Sequence, residues 1–169
     1  MKKLFIACIT LSLLSCLEGN DCDQMPDTSS IDQALLESQV AELEAHLDSL
    51  GVDYMTDPSG VLISVREEGE GGNPNFCSTV NLTYGVSFVG ESEFFDSAIN
   101  QNYLLNQQNL IKGWYFGLYN MKAKGEYMLY IPAELAYGEA GSKNSAGDYV
   151  IQPNENLQFR MRINQIFNN

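Results

Sequence analysis

One histidine, one tryptophan and four cysteines among 169 residues bound the chemistry open to this chain. His46 has no second histidine with which to share a metal, so no metal site is expected and the side chain reads as a surface or flanking residue. Residues 67–74, Glu-Glu-Gly-Glu-Gly-Gly-Asn-Pro, repeat glycine but are followed by no Lys-Ser or Lys-Thr. Their three glutamates would repel a phosphate, and the segment reads as a loop. What remains is the chemistry of an apolar, aromatic surface. In residues 110–121 the single tryptophan sits in a run of large apolar side chains, and Ile111, Trp114, Leu118 and Met121 recur at helical spacing. This predicts a short helix with an indole and three aliphatic chains on one face. Gly113 and Gly117 would let another backbone approach the neighbouring surface. Each glycine costs such a helix about 1 kcal/mol relative to alanine. It cannot stand alone, and something broad and apolar must wrap it.

The elements that position this helix follow from the N-terminus. Residues 1–15 have Lys2 and Lys3, then an apolar run from Leu4 to Leu14, the order of an export signal. The run is shorter than the roughly 20 residues of a membrane-spanning helix. Leu13-Leu14-Ser15-Cys16 resembles the bacterial lipobox, which implies a lipid-modified Cys16 at the start of the mature chain, attached to a membrane of the bacterial cell envelope on its extracytoplasmic side. The plainer alternative is an ordinary cleaved signal. The net charge of −13, made more negative by loss of the two signal lysines, excludes a protein that tracks nucleic-acid phosphates. Residues 16–29 read as an acidic tether. Over residues 30–51, Ser30 with Gln33 forms a capping-box pattern, and Gly51 supplies the stop. Between them Leu36, Val40, Leu43, Leu47 and Leu50 form a narrow apolar seam. The seam fits a dimerising coiled coil or a helix docked on its own domain. Its short length favours docking. With Cys8 in the signal and Cys16 acylated, Cys22 and Cys77 are left either as a disulfide of an exported protein or as two free thiols.

Residues 52–169 read as one domain. Asp57-Pro58-Ser59-Gly60 is a turn and residues 61–65 a strand. In residues 80–88 Val80, Leu82, Tyr84, Val86 and Phe88 alternate onto one face; residues 127–131 form an apolar strand ended by Pro132, and residues 157–163 alternate again. The order is strand, strand, short helix, strand, strand. That predicts an α+β fold in which an antiparallel sheet curls over one helix.

Residues 80–88, Phe95-Asp96-Ser97, Leu110-Ile-Lys-Gly-Trp114, Ala136-Tyr137-Gly138 and residues 157–159 resemble, in order, the signature segments of the FKBP-type peptidyl-prolyl cis-trans isomerases. The resemblance runs over residues 80–166. It implies an antiparallel half-barrel around the short helix, with ligands held between helix and sheet. Carried across by position, the family's pocket falls on Tyr84, Phe95, Asp96, Leu110, Ile111, Trp114, Tyr137, Ile151 and Phe159. Trp114 would form the floor and Phe95, Ile151 and Phe159 the walls. Tyr137 would anchor a substrate carbonyl, and Asp96, with Tyr84 as a possible donor to it, would fix the pocket electrostatically. A further aromatic is expected where direct alignment gives Gln101, with Tyr103 two residues on. The loop over residues 141–149 is longer than in the smallest members. The resemblance implies an isomerase acting on proline-containing polypeptides, open to tacrolimus-like ligands and needing no cofactor. The alternative is a catalytically silent module of the same fold that binds a partner or serves as a lipoprotein scaffold.

Overall fold

The computed structural model describes Cys22, residues 24–106 and residues 109–168. The signal segment and Cys16 lie outside the described residues. Helix α1 (Gln33–Leu50) is followed by strands β1 (Met55–Thr56), β2 (Leu62–Glu67), β3 (Thr79–Phe88) and β4 (Asp96–Leu104). Helix α2 (Lys112–Tyr119) precedes β5 (Glu126–Ile131), the short β6 (Ser142–Lys143) and β7 (Tyr149–Ile151), and β8 (Leu157–Phe167). Six strands form one antiparallel sheet in the order β1-β2-β5-β8-β3-β4. Strands β6 and β7 make a separate hairpin, so residues 141–149 are not plain loop.

Helix α2 is buried on every side, from Gly113 to Leu118. Its glycines admit side chains of β5 rather than another backbone. A Cβ on Gly113 would lie 2.3 Å from Ile131 Cγ2, and one on Gly117 would lie 2.5 Å from Leu129 Cδ1. The wrapping expected for this helix is thus made by interlocking β5 onto it. The opposite face of β5 is covered as well: Met128 and Tyr130 pack with Leu62 against Leu43 and Leu47 of α1. Burial on both faces explains why residues 127–131 show no alternation.

Helix α1 corrects two sequence expectations. Its N-cap is Asp32, whose carboxylate accepts from the backbone N–H groups of Ala34 and Leu35; Ser30 instead accepts a hydrogen bond from Lys112 Nζ. Two residues closer to the helix, Asp32 reaches the open N–H groups that Ser30 cannot. The buried stripe is Leu36, Gln39, Leu43 and Leu47, while Leu50 is exposed. Gly51 ends the helix in the left-handed conformation, φ +65°. The leucines are spent on the helix's own domain. Complete burial of Leu43 and Leu47 contributes about 1.5–3 kcal/mol each.

Strand β4 is absent from the sequence reading, which passes from residue 88 to the helix. Most of its residues are exposed, and it is held by backbone pairing to β3. An edge strand that turns few apolar side chains inward leaves no period in the sequence. Cys22 and Cys77 form a disulfide, with Cα atoms 4.9 Å apart, which clips the N-terminal segment beside the start of β3.

Candidate functional site

Alternation along β3 and β8, the packing of α2, and the turn after β5 bring their aromatic side chains to one place. A cavity of about 220 Å³ opens there, lined by all nine pocket positions carried across in the sequence reading: Tyr84, Phe95, Asp96, Leu110, Ile111, Trp114, Tyr137, Ile151 and Phe159. Trp114 is its floor, buried to 5 % exposure. Three rings meet the indole edge-on: Tyr84 at 5.1 Å, Tyr103 at 5.2 Å and Phe159 at 5.7 Å between centroids. Tilted edge-to-face pairs of this kind fix a ring's plane as well as burying it. Phe95 forms an outer wall, stacked on Phe88 at 4.8 Å. Ile151, delivered by β7, is buried, and Leu110 and Ile111 lead into α2 at the rim.

Tyr103 supplies the aromatic wall for which direct alignment gave Gln101. Gln101 is exposed and turns its amide toward the Ile99 carbonyl, 3.5 Å away. Val86, Asn109 and Leu157 also line the cavity and were missed. The first and last lie in strands whose alternation marks them as inward-facing, whereas Asn109 gave no sequence signal.

The polar groups sit at the mouth. Asp96 remains exposed, so its carboxylate avoids the desolvation cost of a site enclosed by aromatics. It accepts hydrogen bonds from the Tyr84 hydroxyl (3.2 Å) and from the Ser97 backbone N–H (2.8 Å). Burial foremost, then the neighbouring Tyr103 hydroxyl and the Asp96 carboxylate, hold the Tyr84 phenol well above its ordinary pKa. Burial, with the negative charge of Asp96, also raises the Tyr137 phenol. Both hydroxyls therefore stay protonated donors throughout the neutral range. The site is an aromatic floor with hydroxyl donors and one carboxylate at its rim.

Comparison with known proteins places this arrangement. A model of the FKBP-type peptidyl-prolyl cis-trans isomerase family matches residues 71–164. The chain is 32 % identical over 142 residues to the FKBP-type peptidyl-prolyl cis-trans isomerase FkpA of Escherichia coli, covering 78 % of this chain and 49 % of that protein. It is 36 % identical over 107 residues to an FK506-binding protein of Streptomyces anulatus, covering 60 % of this chain and 82 % of that one. The crystal structure of a peptidyl-prolyl cis-trans isomerase from Pseudomonas syringae pv. tomato superposes with a TM-score of 0.65 at 22 % identity, over 84 % of this chain and all of that one, and shows the shared fold. The chain spans about half the length of FkpA.

Proposed function

The chain belongs to the FKBP-type peptidyl-prolyl cis-trans isomerase family, and on that premise we propose that it catalyses rotation about the peptide bond preceding proline in other polypeptides. The observation that carries this reading is the convergence of the family's pocket positions on one cavity floored by Trp114. The bond before proline resists rotation by about 20 kcal/mol, through resonance that places negative charge on oxygen and positive charge on nitrogen. Twisting the bond removes that charge separation. The transition state is then less polar than either planar isomer, and a dry aromatic cavity binds it better. Trp114, Tyr84, Tyr103 and Phe159 supply the apolar contact, and the Tyr137 hydroxyl donates to a carbonyl of the substrate. Asp96, oriented by Tyr84 and the Ser97 N–H, fixes the electrostatic field at the mouth. No step moves a proton. Tyr103 lines the cavity edge-on to Trp114, which supports the enzyme over the silent binding module.

The purified chain should accelerate isomerisation of a peptide with an apolar residue before proline, and a tacrolimus-like ligand should compete. Absence of acceleration by folded protein, over a range of residues before proline, would sink the enzyme reading and leave the binding module.

We read the setting as the bacterial cell envelope, with Cys16 lipid-modified and the domain facing outward to assist folding of exported proteins. The support is the charged-then-apolar start, the Leu13-Leu14-Ser15-Cys16 motif and a disulfide suited to an oxidising compartment. Cys16→Ala should release the protein from membranes or block its processing. A mature wild-type chain that begins elsewhere and carries no lipid would overturn this.

A further inference from the structure

We propose that α1 belongs to the working site, because Gln39 positions the turn that presents Tyr137. This inference rests on the isomerase reading for its effect on rate, and on geometry alone for its effect on Tyr137. Gln39 lies on the buried stripe of α1, between Leu36 and Leu43, at 5 % exposure. Its Nε2 is buried without an acceptor among the described residues, a cost that an aliphatic side chain would not incur. The other end of the amide supplies the compensation. Gln39 Oε1 accepts from the backbone N–H of Glu134 at 2.9 Å, in the single 3-10 turn Ala133–Leu135 that follows β5.

Such a turn begins with donors that it cannot satisfy itself. The Leu135 N–H closes on Pro132 and the Ala136 N–H on Ala133. The two remaining donors go to two buried side-chain amides from distant parts of the fold: Ala133 to Asn156 Oδ1 at 2.9 Å and Glu134 to Gln39. A further bond from the Asp32 N–H to Glu134 Oε2, 3.3 Å, ties the start of α1 to the same turn. Tyr137 follows one residue after Ala136. Beyond it, Gly138 turns the chain at φ +53°, and its carbonyl accepts from the Asn154 N–H at 2.8 Å. The Tyr137 backbone is thus fixed on both sides, with Gln39 as the brace contributed by α1. Gln39 touches no part of the cavity and acts through Tyr137. Helix α1 lies outside residues 71–164 that match the family model, so the brace comes from outside the segment that carries the pocket.

The test is Gln39→Met, which keeps the volume and removes the acceptor, studied in the full chain alone and combined with Tyr137→Phe. The rate test expects kcat/KM to fall about fivefold in the Tyr137 background and to be unchanged by the same substitution in the Phe background, the signature of coupled residues. A purely structural role would lower thermal stability equally in both backgrounds and leave no coupling in kcat/KM. The second readout needs no activity: the ring resonances of Tyr137 should shift or broaden in Gln39→Met, while those of Tyr54 stay in place. If the wild-type chain is inactive but the Tyr137 resonances move, the isomerase reading fails and the brace stands. Unmoved Tyr137 resonances in folded Gln39→Met overturn the brace, as does an equal rate loss in both backgrounds. Gln39→Ala serves the same comparisons should the methionine variant not fold.

Discussion

Three edge-on rings hold the Trp114 indole, and Tyr103 is the one the family resemblance did not assign. Each such pair is worth about 0.5–1.5 kcal/mol beyond the area it buries. Tyr103→Ala should therefore lower kcat/KM by roughly tenfold, given that 1.4 kcal/mol is a factor of ten. Gln101→Ala, an exposed change, should leave it at the wild-type value; a prolyl-peptide assay on both variants decides the assignment. A second expectation concerns Tyr84, whose raised phenol stays neutral in the folded chain where an unfolded tyrosine ionises, near 10.0. Above that pH the folded state binds more protons than the unfolded one, so stability falls as pH rises and is unaffected below it. Denaturation midpoints at about pH 9 and pH 11 should differ, and Tyr84→Phe should reduce the difference. Strand and helix periods mark Tyr84, Ile111, Trp114 and Phe159 as inward-facing, whereas the family resemblance alone made Phe95, Asp96, Leu110, Tyr137 and Ile151 legible. The choice between Gln101 and Tyr103 was not: it depends on the course of β4, whose register against β3 shifts between Leu82 and Tyr84, and a bulge of that kind leaves no mark in the pattern.

At the level of elements, the close seat of α2 on β5 is set by what its glycines lack. Gly117→Ala would drive a methyl to 2.5 Å from Leu129 Cδ1. The gain in helix propensity, about 1 kcal/mol, is outweighed by an overpacking cost of about 1–3 kcal/mol. Thermal melts should show Gly117→Ala less stable than wild type, whereas at an exposed helical site the same change would stabilise. The Cys22–Cys77 bridge closes a loop with a sequence separation of 55, and opening it should cost about 2–4 kcal/mol, read as a lower denaturation midpoint under reducing conditions. Elements with an apolar run or period were legible: β2, β3, β5, β8 and both helices. Strand β4 was not, because its partner is backbone, and Gln39 was not, because a buried amide on a helical stripe is indistinguishable in sequence from a solvated one. The distinction lies in Glu134, 95 residues away.

For the whole molecule, the sheet order has a consequence in time. Strand β8 lies between β5 and β3, yet it is the last of the sheet's strands to be synthesised. Until residues 157–167 arrive, β2 and β5 can pair with each other and β3 with β4, but no strand pairing joins the two halves. Trp114 then lacks Phe159, and the cavity has no closed floor. A chain with this topology cannot complete its sheet until its last strand is made, so the long-range pairing that closes the fold comes late. Release of a chain stopped short of Leu157 should leave it protease-sensitive along its whole length, whereas a stop after Phe167 should give full resistance. Resistance of either half alone would show that the molecule assembles in stages instead.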